Sequence, residues 1–285
     1  METLKIAIQK GGRLSDKSIE VLKDCGFELN LGHNKLKANV PNSNVEILFL
    51  RDDDIPKYVE NGVAQLGIVG ENVLLEEKRD INTVAKLGFG KCRMSLAIPR
   101  GENYTGISYF SGKRIATSYG EILKTYLSQQ GIEASIHDIS GSVEIAPGIG
   151  LADGIMDIVS TGSTLAMNGL KEVETILKSE AVLVANKSLS NEHNEFLEQL
   201  LFRIKAVKEG KNNRYILLNA PNEKLDEIAA VLPGISSPTV MPLLKKGWSS
   251  VHSVVNAKQV WEVIDELHKV GAEGVLVVPI EKMFK

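Results

Sequence analysis

One pattern recurs along this chain: a short apolar run stops at a polar or glycine-rich turn, and a helical period starts straight after it. Leu4–Gln9 leads into Lys10-Gly11-Gly12-Arg13-Leu14 and a helix predicted to run to about Asp24, with Ser15 or Asp16 as its N-cap. Val45–Leu50 leads into Arg51-Asp52-Asp53-Asp54 and a helix with Pro56 in its first turn, which Asp54 is placed to cap. Gln65–Gly70 leads into Glu71-Asn72-Val73-Leu74 in the same way. Apolar runs this short suit strands buried on both faces, and the intervening helices supply the crossovers of a parallel sheet. The fold class expected is α/β, with ligands at the carboxyl ends of the strands.

The pattern leaves one lobe and comes back. Arg93–Pro99 reads as a strand that runs out into the polar segment Gly101–Gly106, where a second lobe begins. Lys113–Tyr119 is a strand with a polar end, Ile122–Gln130 a helix and Ile132–Ile139 a strand. Gly141-Ser142-Val143-Glu144-Ile145 opens a further strand–helix unit, and Val182–Asn186 returns to the first lobe. The expected lobes are residues 1–95 with 181–210, and 96–180, with a cleft between them. The polar run Lys208–Asn213 reads as a linker. Beyond it Tyr215–Asn219, Glu223–Leu232, Thr239–Leu243, Ser250–Val255, Lys258–Val270 and Gly274–Pro279 give the order β-α-β-β-α-β of a ferredoxin-like domain over 211–285.

Composition narrows the class of partner. A formal charge of −3 offers no basic face for nucleic acid, so an anionic ligand must be caught by a local site. Cys25 and Cys92 form no metal or disulfide pattern, and His33, His137, His193, His252 and His268 have no ligand spacing, so the histidines are expected on the surface or in packing. The start of the chain moves directly into a strand pattern without a signal peptide's apolar core, and no apolar window is long enough for a membrane helix. The expectation is a cytoplasmic protein with no membrane and no nucleic-acid partner.

The chemistry concentrates between Asp153 and Leu165. A strand carrying Asp153 and Asp157 opens into Ser160-Thr161-Gly162-Ser163-Thr164 and then a helix, and the stretch contains no Lys or Arg. Converging N–H groups, a helix N-terminus and hydroxyls form a nest for phosphate, and Gly162 lets the backbone approach the ligand closely. The Walker lysine is missing, so the common nucleotide loop is excluded. Acids beside a phosphate nest suit a ligand that also carries sugar hydroxyls or develops positive charge, as a phosphoribosyl donor does. At Lys10-Gly11-Gly12-Arg13 a geometric turn and an anion contact both stay open. So do helix-dipole and ligand roles for Glu71.

In these motifs the chain resembles the ATP phosphoribosyltransferases in their long, regulated form. The resemblance runs from Leu4 to Phe284 and rests on Lys10–Leu14, Arg51–Pro56, Leu66–Asn72, Gly141–Glu144, Asp157–Leu165 and Asn168–Val173, in the family's order. Ser163 stands where relatives carry Thr or Ala, and the doubled glycine before Arg13 is a variant of the family's turn. The resemblance implies phosphoribosyl transfer from 5-phosphoribosyl 1-pyrophosphate to N1 of ATP, with release of pyrophosphate in the presence of Mg²⁺. It implies a two-lobed catalytic region of the type II periplasmic-binding-protein kind and a C-terminal ferredoxin-like domain that binds histidine as inhibitor. It also implies a homo-oligomer, dimer or hexamer.

On that basis Ser160, Thr161, Gly162, Ser163 and Thr164 are expected at the 5-phosphate, and Asp157, with Asp153 or Glu144 nearby, at the ribose hydroxyls. Arg13 and Lys10 are candidates for assisting the departing pyrophosphate or for the ATP phosphates, with Arg51 a further candidate. Glu71 and Tyr119 are candidates at the adenine end. Asn219, with Ser237 and Thr239 in the run Ser236–Thr239, matches the histidine site. Mg²⁺ is expected to be held mainly by substrate phosphates. The rival reading is a two-lobed solute- or effector-binding protein without catalysis.

Overall fold

The structure, a computed structural model, describes residues 3–29, 36–41, 43–232 and 237–284. His33 and Ser236 lie outside the described residues. The chain forms two compact units, one of Met1–Lys23 with Phe27–Glu195, the other of Asp24–Gly26 with Phe196–Lys285.

The first unit contains two sheets. The elements of the first sheet and its helices are β1 (Leu4–Gln9), α1 (Arg13–Asp24), β2 (Lys37–Asn39), β3 (Val45–Leu50), α2 (Ile55–Glu60), β4 (Leu66–Gly70), α3 (Glu71–Glu77) and β5 (Asn82–Lys86). The chain then crosses to β6 (Cys92–Pro99), β7 (Arg114–Thr117), α4 (Gly120–Gln130), β8 (Ser135–Asp138), β9 (Gly154–Val159), α5 (Ser163–Met167) and β10 (Leu170–Ser179). It returns through Glu180 to β11 (Ala181–Ala185) and the long α6 (Asn191–Asn212). The first sheet has the order β2-β3-β1-β4-β11-β5 and the second β10-β6-β9-β7-β8. Both sheets are mixed: in the first, β11 runs antiparallel to β4 and β5, and β2 to β3; in the second, β6 runs antiparallel to β9 and β10.

Both faces of these sheets are covered, as the apolar runs require. Met94, Leu96, Ile98 and Met156 pack with Phe110, Leu123 and Leu127 on one side of the second sheet, while Ala97, Ile155 and Val159 pack with Val143, Ala146 and Leu165 on the other. The alternation along β9 sends Met156 to one core and Ile155 and Val159 to the other. Asp157 shares the second face, at the strand's carboxyl end. The two lobes are also tied by side chains: the Glu76 carboxylate accepts the N–H groups of Glu121 and Ile122 at 3.0 Å each, covering orphan donors at the start of α4.

Several local expectations change. Helix α1 begins at Arg13, so Ser15 and Asp16 sit inside its first turn, where the Asp16 N–H already donates to the Gly12 carbonyl at 3.1 Å. Asp54 makes no side-chain cap, because a 3₁₀ turn over Asp52–Asp54 runs into α2 and leaves it helical backbone angles. The unit expected at Gly141–Ile145 is a single 3₁₀ turn, Val143–Ile145, entered through Ser142 at φ 52°. The strand expected over Lys113–Tyr119 stops at Thr117. The expected linker at Lys208–Asn213 is instead the last turn of α6 and the start of the next strand. Gly210 is there for packing: a Cβ on it would stand 2.7 Å from the Glu281 carbonyl oxygen.

The second unit continues with β12 (Asn213–Pro221), α7 (Leu225–Val231), β13 (Thr239–Pro242), β14 (Trp248–Asn256), α8 (Val260–Lys269) and β15 (Glu273–Pro279). The sheet order β13-β14-β12-β15, all antiparallel, is the ferredoxin-like arrangement. Ile216, Leu218, Val251 and Val255 face a core completed by Ile228 of α7 and Leu267 of α8.

Candidate functional site

The strand ends of the second sheet build the centre of the site. β9 delivers Asp157 half-buried, its Oδ1 accepting the Ile158 N–H at 2.7 Å. Gly162 then takes φ 81° as the N-cap of α5, a backbone state that side chains with a Cβ reach at a cost of roughly 1–2 kcal/mol. The hydroxyls of Thr161 and Ser163 lie 3.0 Å apart. Among the described residues, no protein group accepts the N–H of Thr161 or Gly162. The loop, with Asp157, Glu144 and Arg13, lines a cavity of about 240 Å³. Arg13 comes from the first lobe, so the pocket takes one wall from each.

Electrostatics distinguish the two acids of the stretch. Burial pushes the Asp157 carboxyl above the usual carboxylate range; the Ile158 N–H opposes this, and the charge of Glu144 adds to it. Asp153 behaves in the opposite way. Hydrogen bonds from the Arg114 side chain and backbone hold it down to about 2. Arg114 donates to both carboxylate oxygens, Nη2 at 2.9 Å and Nε at 3.2 Å, and its own N–H adds a third bond at 2.9 Å.

Asp153 stands apart from the cavity that Asp157 lines. It precedes β9 at the amino end, while Asp157 stands at the carboxyl end, roughly 13 Å away at strand rise. It staples β9 to β7 and does not reach the phosphate loop. Asp153→Asn is expected to leave kcat within about twofold of wild type, since the residue does not line the loop cavity, and to change stability only modestly, since the pair is partly exposed. The lowered carboxyl stabilises the fold above the ordinary carboxylate range. As pH falls from about 4 toward 2 that contribution is lost, so the melting-temperature gap between wild type and variant should close over that window. A gap that persisted at pH 2 would contradict the pairing.

The remaining candidates fall into two groups. Lys10 and Arg51 emerge side by side from parallel strands, with the Lys10 N–H on the Leu50 carbonyl at 2.7 Å, but neither lines the loop cavity. Arg51 pairs with Asp53 at 3.3 Å. Glu71 opens α3 and pairs with Lys86 at 3.0 Å, beside a cavity of about 410 Å³ where the chain crosses between lobes. Tyr119 packs deeper: burial raises its pKa, the charges of Asp52 and Asp157 add to this, and a hydrogen bond with Asn72 opposes it. Asn72 in turn accepts from the Ser179 hydroxyl at 2.9 Å, linking Tyr119 to the crossing.

Sequence reasoning missed Arg93, Ser95 and Glu172, which form a bonded cluster on the same sheet face as Asp157. Glu172 is 79 residues from Arg93, and no local spacing links them. In the second unit, Asn219 on β12 lies opposite Ser250, and Thr239 on β13 opposite His252, so both share the sheet face away from the helices. Ser237 is exposed two residues before Thr239. His252, expected on the surface or in packing, bridges the Tyr215 hydroxyl at 2.8 Å and the Ser250 hydroxyl at 3.0 Å.

The sequence model of the ATP phosphoribosyltransferase family matches residues 51–206, and that of the family's C-terminal domain matches 210–282. The ATP phosphoribosyltransferase of Cytophaga hutchinsonii is 55% identical over 282 residues, covering 99% of each chain. The chain belongs to the ATP phosphoribosyltransferase family. It is an enzyme of the long form, with the C-terminal domain present. The enzyme of the same name from Phocaeicola vulgatus is 54% identical over 98% of this chain and 99% of its own. Among solved structures, the ATP phosphoribosyl transferase (HisG:HisZ) complex from Thermotoga maritima matches with TM-score 0.62 and 31% identity, covering 71% of this chain and 96% of that one. A histidine kinase sensor domain with similarity to periplasmic binding proteins matches at TM-score 0.50 and 10% identity over 73% of this chain and 90% of that one, a likeness of fold alone.

Proposed function

We propose that the cavity shared by Arg13, Glu144, Asp157 and the Ser160–Thr164 loop holds 5-phosphoribosyl 1-pyrophosphate while its phosphoribosyl group moves to N1 of ATP, the first step of histidine biosynthesis. The carrying observation is the convergence of that loop, two carboxylates and a cation from the opposite lobe on one cavity. The loop N–H groups and hydroxyls take the 5-phosphate. Asp157, already disfavoured as a charge by burial, faces the ribose and stabilises the oxocarbenium-like character that develops as the pyrophosphate departs. Arg13 meets the departing pyrophosphate across the cleft. Adenine N1 is its own nucleophile, so orientation supplies much of the rate and no general base is needed. Glu71, Tyr119, Lys10 and Arg51 are assigned to the ATP side.

Mg²⁺ fits this donor set. Among the described residues no cluster of three or more metal-ligating side chains exists, whereas Glu144 and Asp157 bring two carboxylates to the phosphate cavity. Such a site suits a hard cation that keeps waters and takes phosphate oxygens, and when bound it would neutralise the leaving pyrophosphate. The C-terminal sheet, through Asn219, Ser237 and Thr239, is assigned to inhibitory histidine. A homo-oligomer and a cytoplasmic location belong to the same reading; among the described residues no helix is long and apolar enough to cross a membrane.

Pyrophosphate release should require ATP, phosphoribosyl pyrophosphate and Mg²⁺ together, and release without ATP would overturn the reading. Arg13→Ala should weaken kcat/KM by about 10–100-fold, the value of one charge-assisted contact. Unchanged kinetics for both substrates would remove Arg13 from the site. Asn219→Ala should raise the histidine concentration for half-inhibition about tenfold while leaving uninhibited turnover intact. Undiminished histidine sensitivity would move the inhibitor elsewhere.

A further inference from the structure

Arg93 stands behind the phosphate loop. It pairs with Val159 in the register between β6 and β9, which puts it on the face that carries Asp157. Its Nε and Nη2 donate to the two carboxylate oxygens of Glu172 at 2.5 Å each, and Nη1 donates to the Ser160 carbonyl at 3.0 Å. Glu172 also accepts from the Ser95 hydroxyl at 2.8 Å. Ser160 lines both the crossing cavity and the loop cavity, whereas Arg93 lines only the first.

We propose that Arg93 is a positioning residue that sets the direction of the peptide dipoles in the phosphate loop; this rests on the assignment of that loop to the 5-phosphate. The peptide from Ser160 to Thr161 is planar and trans, so its carbonyl and its N–H point in opposite directions. Fixing the carbonyl on Arg93 turns the Thr161 N–H away from Arg93, toward the loop cavity. With the peptide flipped, a carbonyl oxygen would face the phosphate and repel it. In a loop with no Lys or Arg of its own, the orientation of the N–H groups decides whether an anion is attracted. Glu172 completes the device. It neutralises the guanidinium and locks it by a two-pronged bond, leaving Nη1 aimed at one carbonyl.

Arg93→Lys tests this on the full-length enzyme. A lysine can still pair with Glu172 but cannot fork to the carboxylate and the carbonyl at once. Calorimetric titration with ribose 5-phosphate should show binding about tenfold weaker than in wild type, and KM for phosphoribosyl pyrophosphate should rise about tenfold with kcat within about twofold. A properly folded variant with wild-type ribose 5-phosphate affinity and wild-type KM would overturn the proposal. If the single variant melts far below wild type, the R93M/E172Q double variant, which removes both charges together, carries the same expectation and the same refutation. Wild-type enzyme that fails to bind ribose 5-phosphate would instead refute the phosphate-loop assignment, and the positioning role with it.

Discussion

Asp157→Asn is expected to lower kcat by about 10²–10³-fold and to leave the melting temperature unchanged or raised. The two halves of this result come from the same burial. A half-buried carboxylate with a raised pKa is disfavoured as a charge in the folded state, so near neutral pH its ionisation works against stability. The sign follows from linkage: an acid whose folded pKa lies above its unfolded value gives a fold that gains stability as pH falls through the folded pKa. Asn removes that cost and keeps the shape. It also removes the negative charge that the developing positive ring requires. Steady-state pyrophosphate release and a thermal melt on the same preparation check both halves. Near-normal turnover would sink the ribose assignment, and a clearly lowered melting temperature would sink the desolvation argument.

Gly162→Val is expected to reduce kcat/KM for phosphoribosyl pyrophosphate by about 10²-fold. The reason is conformational rather than steric. The nearest atom to a Cβ at this position is Val159 Cγ1 at 3.9 Å, so there is room for a small side chain. The obstacle is φ 81°, where a β-branched residue is strained and where relaxation would rotate the N–H groups that form the nest. Gly162→Asn separates the two explanations, since Asn tolerates the left-handed region far better. Asn should recover much of the lost kcat/KM. Equal loss in both variants would point to bulk, and no loss in Val would show that the loop does not need this geometry.

The α/β layout was legible because each buried strand of the first lobe is an apolar run bounded by turn residues, as at Leu4–Gln9 and Leu66–Gly70. The second lobe was harder. β10 was not recognised as a strand, because bulges between Glu172 and Glu174 and between Thr175 and Leu177 break the period of two. Helix α6 went unrecognised although its pattern is regular: the buried Leu197, Leu200, Ile204 and Val207 follow one helical stripe, and only Ala206 lies off it, so the polar run Lys208–Asn213 was read as a linker instead of the end of a helix.

At the site, a local motif identified the loop, and the resemblance assigned Arg13 and Glu144. Asp153 and Asp157 share a strand face in the sequence pattern, but four residues at strand rise put them roughly 13 Å apart, a distance the motif alone does not display. Arg93 and Glu172 meet only through the register of β10 on β6, and that register is not visible in either segment alone.

The position of β11 bears on how the chain is made. Among the described residues β5 is an edge strand that bonds within its sheet only to β11, which is inserted between it and β4. A nascent chain emerging in order therefore has β5 without its partner until Ala181–Ala185 is synthesised. At about 5–20 residues per second the wait is roughly 5–20 seconds. The whole second sheet, β6 to β10, emerges during that interval. The lobe that begins first must finish last, and the later lobe is free to form while the earlier one still has an open edge.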